Sequence, residues 1–453
     1  MRRMVSLWLL MAQVAVGTAA PAESPSRTPL SEVAEALTDD SSAWPMFGRD
    51  AQHTNATTVE WRSDPKPLWT FRPSEHLWTY TRRTSVWSSS PVAARLGDDL
   101  RIFVGSYDRN CYCVDAKTGR EVWRFTTGGA INAAPALYRI AGRLCVVVAS
   151  TDRTIYGLDG RTGERLWSYA VYPWTFTAFE AIASSPIVIE DAGAPSLLVA
   201  MWYSDRRPLR NVQRGELICL DGRTGRCRWR ETLSRSALSS PAAADIHGMP
   251  SVFVAGADGT LACLDPRNGR RRWTMPSTIP FTSSPLLSRI NGRPVVIAGT
   301  LFGVLFCVDA ETGTVVWTRK TGMQISSAGM VTHLSGRPAL FVPSYDRFLY
   351  SVDLTSGVLR WRFETTHHIA SSPILARIEG ALCVLFASLD NHLYAVDAST
   401  GRLRWSYPLG KRPWFYEVRG ETLWPSPIAI AYEDRPLLIV PWYDGTITAF
   451  SDW

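Results

Sequence analysis

One phrase recurs seven times along the chain. It reads Val114-Asp115-Ala116-Lys117-Thr118-Gly119-Arg120-Glu121-Val122-Trp123 in its first copy, and its Asp falls at 115, 159, 221, 265, 309, 353 and 397. Five of the six intervals are 44 residues, and the Gly (119, 163, 225, 269, 313, 357, 401) and Trp (123, 167, 229, 273, 317, 361, 405) keep the same register. A fixed period of this size marks stacked supersecondary units, none of which can bury its apolar face alone. The period also overrides length: a chain of 453 residues would otherwise suggest about three domains, whereas the repeat makes one ring.

Each unit reads as four strands. A Ser-Ser-Pro triplet or its variant opens strand A (Pro91, Pro135 after Ala-Ala, Pro186, Pro241, Pro285, Pro373 and Pro427 after Pro-Ser, with Gly329 in the slot once), and apolar runs such as Leu144–Ala149 and Val295–Ala298 form strand B. Strand C ends at the repeat Asp. An Asp-x-x-Thr-Gly turn, whose Gly is free to take positive φ, then reverses the chain into strand D and its Trp. Four-stranded antiparallel units of this length pack radially as propeller blades. Pro67–Phe71 is an orphan strand D before the first triplet, and Trp442–Phe450 is read as strands B and C without a D. The expected fold is therefore all-β: an eight-bladed β-propeller in which the N-terminal strand completes the last blade, leaving only short edges exposed.

Ala395-Val396-Asp397-Ala398-Ser399-Thr400-Gly401-Arg402-Leu403-Arg404-Trp405 resembles the tryptophan-docking motif Ala-x-Asp-x-x-Thr-Gly-x-x-x-Trp of the pyrroloquinoline-quinone (PQQ) repeat propellers. The resemblance covers roughly 65–453, and Trp44-Pro45-Met46-Phe47-Gly48-Arg49-Asp50 is similar to the lead-in of many stand-alone members. It implies the fold and leaves function open among quinoprotein alcohol dehydrogenases, non-catalytic outer-membrane assembly propellers and sensor domains. The dehydrogenases imply PQQ with calcium, an Asp base and a disulfide between adjacent Cys. No Cys-Cys pair occurs here, and the calcium and base positions have no residue-by-residue match.

The termini and composition bound the setting. Arg2 and Arg3, the apolar Met4–Val16 stretch and the small residues Ala19, Ala20 and Ala22 read as a secretory signal over 1–22, too short to span a bilayer. A polar linker (23–43) and one propeller domain (44–453) follow, so a periplasmic or secreted monomer without a transmembrane span is expected. The net charge of +7 is carried mostly by Arg spread over every blade; it reads as a solvated surface, not a nucleic-acid site. Cys113, Cys219, Cys263 and Cys307 share a small-residue column and Cys145 and Cys383 another, which favours buried free thiols over disulfides.

Departures from the repeat locate function. Trp-to-Pro linkers are 12 residues long in four joints but 22, 19 and 22 at 69→91, 167→186 and 405→427, and the Pro-to-Asp interval of 24 becomes 35 at 186→221. All four insertions fall in D–A or B–C connections, which share one face of a meander blade, where a rigid scaffold carries its binding loops. They hold Trp78, Arg82, Trp174, Phe176, Glu180, Trp202, Arg206, Arg207, Trp414, Tyr416 and Glu421, rich in the aromatic and Arg types of binding hot spots. Two more residues break their columns: Trp424 stands where other blades carry Ser88, Asn132, Ala183, Leu238, Thr282, Ser326 and Ala370, and Trp442 replaces small residues such as Ser106, Ser150 and Ser388. The bland alternative is that these loops pack on one another. No catalytic residue is assigned; Glu180, His367 and Glu421 share a slot near the axial mouth where a base or metal ligand could stand.

The reading is an exported binding or assembly scaffold whose decorated face takes a protein partner in the cell envelope. The alternatives are a PQQ/calcium-dependent oxidoreductase and recognition of a small molecule or glycan.

Overall fold

The computed structural model describes residues 45–50, 52–55, 59–73, 89–171, 184–191, 194–207, 210–233, 239–409, 425–433, 435–442 and 445–452, with the side chains of 191 and 203–214 outside that description. No helix occurs among them, and the strands form eight four-stranded antiparallel blades. Blade 1 shows the plan: Val92–Leu96 (A), Asp99–Gly105 (B), Asn110–Asp115 (C) and Glu121–Thr126 (D). Strand A is almost wholly buried at the axis, while strand D alternates exposed and covered residues at the rim.

The ring closes as the sequence predicts. Lys66–Phe71 pairs antiparallel with Ile447–Ser451 and supplies strand D of blade 8. One boundary differs: strand B of that blade is Arg435–Pro441, so Trp442 opens the B–C turn and strand A is Ile428–Tyr432. In blades 2, 4, 5, 6 and 7 the A–B connections are two-residue turns with both central residues at positive φ, such as Asn291 (51°) with Gly292 (80°), the geometry that matches strand twist.

The tryptophan columns hold the blades together. Each of seven indole Nε1–H groups donates to a backbone carbonyl in the next blade, at 2.7–3.2 Å: Trp69 to Ala116, Trp123 to Gly160, Trp167 to Gly222, Trp229 to Pro266, Trp273 to Ala310, Trp317 to Leu354 and Trp361 to Ala398. Each ring also lies flat on the turn glycine of that neighbour; a Cβ on Gly401 would stand 2.6 Å from the Trp361 ring. Gly is thus required twice over, by its positive φ and by the indole above it.

The serine triplets do more than shape turns. The first Ser accepts a hydrogen bond from its own blade, as in Gly105 N to Ser89 Oγ (2.9 Å) and Gly299 N to Ser283 Oγ (2.7 Å). The second reaches the neighbouring blade: Ala134 N to Ser185, Ser185 N to Ser240, Ser240 N to Ser284, Ser372 N to Ser426 and Ser426 N to Ser90, all at 2.9–3.0 Å. A hydroxyl relay therefore stitches the innermost strands around the axis.

All eight cysteines are free, seven of them buried and only Cys227 exposed. Burial pushes the Cys263 and Cys383 thiols up to about 11, which keeps them protonated and poor as nucleophiles or metal ligands.

Candidate functional site: the axial mouth and the decorated face

The N-terminal lead-in fills the axial channel. Pro45 O accepts from Leu137 N in blade 2 (2.7 Å), Gln52 O from Leu287 N in blade 5 (3.1 Å) and Asn55 O from Leu375 N in blade 7 (3.1 Å). The His53 ring bonds Pro285 O through Nδ1 (2.8 Å), and the Asn55 amide donates to Gly329 O (3.2 Å) in blade 6. Glu60–Trp61 then adds a short parallel strand to Arg377–Ile378 of blade 7. Asp50 accepts from Gln52 N (3.1 Å), Thr54 N (3.0 Å) and the Thr54 hydroxyl, which shapes the strap's turn. His53 is fully buried and edge-on to Phe47, with Nε2 lacking a partner among the described residues; burial pulls its imidazole down to about 4.

Above Phe47 the channel opens into a vestibule lined by Ser90, Asn132, Ser185, Ser284, Ser326, Ser372 and the small or apolar residues between them. These residues stand at the starts of strand A, the end of the blade that carries the D–A connections. The vestibule and the inserted hairpin of blade 3 thus share one face. Asn132, Ser326 and Ala370 belong to the column in which blade 8 carries Trp424.

The insertion in blade 3 is an extended hairpin. Strands Ala194–Arg207 and Arg210–Asp221 pair continuously from Ser196↔Asp221 to Arg207↔Arg210, well past the neighbouring blades' B and C strands. Arg206 and Arg207 lie in its distal part, and Trp202 sits half-buried opposite Gly215 with its indole N–H unpartnered among the described residues. Trp442 is only 3% exposed and packs with Ala387, Leu389 and Leu409 between blades 7 and 8. That packing corrects the premise of the column comparison: the larger side chain fills a joint between blades. Trp78, Arg82, Trp174, Phe176, Glu180, Trp414, Tyr416, Glu421 and Trp424 lie outside the described residues. His367 stands edge-on to His368 (4.6 Å), which stacks on Tyr345 (5.2 Å). No cluster able to hold a metal ion occurs among the described residues.

A second column holds a departure that the sequence reading passed over. Asp152, Asp346 and Asp390, in the B–C turns, each accept from a Tyr hydroxyl four residues on (Tyr156, Tyr350, Tyr394) at 2.6–2.8 Å. Each also accepts from a D–A backbone N–H of the preceding blade: Gly128 (2.8 Å), Gly322 (2.5 Å) and Thr366 (3.0 Å). Blade 5 replaces Asp by Phe302 and Tyr by Phe306. Thr300 takes over the turn, accepting from Val304 N (2.9 Å), and Phe306 packs edge-on to Phe281 (5.5 Å). Phe302 is left 59% exposed, with Leu301 (37%) beside it and Met323 (49%) on the adjoining D–A connection. Applying the column comparison to the Asp slot would have found it.

Fold and site together define an eight-bladed propeller with a self-plugged axis and one decorated face. A family model described as "Outer membrane protein assembly factor BamB" matches residues 54–195, 174–279 and 257–415, and the chain belongs to that family. No curated protein matches the chain. Among solved structures, the quinohemoprotein alcohol dehydrogenase of Comamonas testosteroni is similar over 92% of this chain and 82% of its own, with a TM-score of 0.71 at 13% identity. BamB from Moraxella catarrhalis covers 85% and 97% (TM-score 0.54, 15% identity), and Sqt1 of Saccharomyces cerevisiae 85% and 99% (0.60, 11%). At these identities the likeness is one of fold.

Proposed function

We propose that this protein is an exported, non-catalytic binding platform that takes a protein partner in the cell envelope on its decorated face. The observation that carries the reading is the apolar trio Leu301, Phe302 and Met323. An exposed Phe in a slot that blades 2, 6 and 7 use for a latching Asp has no blade-packing role, and contiguous exposed apolar surface on a soluble scaffold marks interaction sites. The long hairpin of blade 3 stands on the same face, and the family to which the chain belongs, outer membrane protein assembly factor BamB, is of the same kind.

A quinone cofactor with calcium fits the described vestibule poorly. Its lining offers hydroxyls, one amide and apolar groups, with no cationic side chain for the quinone carboxylates and no carboxylate for calcium. No catalytic step is derived through it.

The test is affinity capture from an envelope extract with wild type and Phe302→Asp, alongside dye reduction with PQQ, calcium and an alcohol panel. The substitution restores the repeat residue and returns an acceptor to Thr278 N, so the fold is kept. The reading expects a protein captured by wild type and lost by the variant, without turnover; PQQ-dependent turnover, or equal capture by both, would overturn it.

A further inference from the structure

The vestibule holds polar atoms that the fold leaves unused. Asn132 Oδ1, Ser326 Oγ and Ser372 Oγ are buried, belong to residues that line the cavity and have no hydrogen-bond partner among the described residues. Ser372 is 0% and Ser326 7% exposed, whereas neighbouring ring serines spend their hydroxyls on the relay between blades. Leaving buried polar groups unpaired costs roughly 1–3 kcal/mol each, so three around one cavity call for a bound group.

We infer that the vestibule is a binding site for an uncharged, hydroxyl-bearing ligand, a polyol or the end of a saccharide, whose hydroxyls meet Asn132 on one wall and Ser326 and Ser372 on the facing wall. A hydroxyl donates and accepts at once, as an amide oxygen and two serine hydroxyls require. Among the described residues an anion finds only hydroxyl and Asn132 amide donors and no cationic side chain, and the strand-opening N–H groups of Ala134, Ser185, Ser240, Ser372 and Ser426 are already bonded to serine oxygens. A cation finds no carboxylate among the described lining residues. The closed part has room only for a water- or hydroxyl-sized group, and it widens to about 410 Å³ including the open mouth, where the remainder of the ligand lies. Phe47 supplies an apolar ring at the floor, the surface that a sugar's C–H face packs against. The site is independent of Phe302.

The experiment uses the full chain and saturation-transfer NMR titrations with glycerol and methyl α-glucoside, with acetate and methylammonium as charged controls. The neutral probes bind saturably and the controls do not. The Asn132→Leu/Ser326→Ala/Ser372→Ala triple variant weakens binding roughly tenfold or more. Because these three oxygens bond nothing in the fold, the variant's melting temperature is at or above the wild-type value. Glycerol would bind as well as the glucoside if the seated hydroxyls supplied most of the affinity; a preference for the glucoside places the ring on Phe47. Absence of saturable neutral binding, equal binding of the charged controls, unchanged affinity in the triple variant, or a lowered melting temperature, which would show that the oxygens are already partnered, each overturns the assignment.

Discussion

Seven joints between blades are built alike, and the eighth is not. At each regular joint a strand D indole lies on the next blade's glycine and donates to the carbonyl beside the repeat Asp. Trp405 faces blade 8, whose strands C and D come from opposite ends of the chain and carry no Asp-x-x-Thr-Gly turn between them. Its Nε1 is buried without a partner among the described residues. The closing joint is secured elsewhere: Arg62 N donates to Asp452 Oδ2 (2.6 Å), Arg404 of blade 7 pairs with Asp64 of the strap (3.8 Å), and Trp61, 0% exposed, packs against blades 7 and 8. A propeller thus spends one uniform device on its regular joints and covers the one place where that device is impossible with the strap that also plugs its axis.

The largest effect should come from the strap. Trp61→Ala empties a fully buried site at the seam and should destabilise by about 3–5 kcal/mol, read by denaturant unfolding. A loss no greater than that of an exposed strand D residue such as Val358→Ala would mean that the strap is an accessory. Next comes pH. His53 is held near 4 when folded against 6.5 as its ordinary value, so the unfolded chain takes up the proton first as pH falls. Its contribution is intact above 6.5 and is lost as pH drops toward 4, up to about 3 kcal/mol. Raised pKa at the carboxyl of Asp50, also caused by burial, works in the opposite sense, so His53→Gln is the control that should flatten the profile between 6.5 and 4. A smaller effect separates the joints directly. Trp361→Phe loses a hydrogen bond and leaves the Ala398 carbonyl short of a donor, while Trp405→Phe removes an orphan donor; the first should cost about 1–2 kcal/mol more. Equal costs would show that Trp405 has found a partner. Phe302→Asp should move stability least, within about 0.5 kcal/mol, since it restores the slot residue of the other blades.

Much of this was legible in the chain. The period, blade count, N-terminal clasp and free cysteines follow from residues whose spacing is dictated by strand length and turn chemistry, so the structure reproduces them. The repeat register also placed the insertions on one face, because connections in a meander alternate between two ends. What sequence missed was mutual position. Nothing in Trp442 announces Leu389 and Leu409 beside it, and the serine relay needs two neighbouring blades before a triplet looks like more than a turn. The strap's course through the channel rests on backbone carbonyls, which no side-chain pattern reveals. Phe302 was visible in principle, and became conspicuous only when the Asp latches to neighbouring blades showed what the slot ordinarily does.

On the proposed function, one face of this ring binds and the other does not. A photoreactive phenylalanine analogue placed at Phe302, and separately at the exposed Arg293 beside an A–B turn on the opposite face, tests it in an envelope extract. The account predicts a discrete cross-linked protein product from position 302 and none from 293. The same product from both positions, or a product from 293 alone, would contradict it.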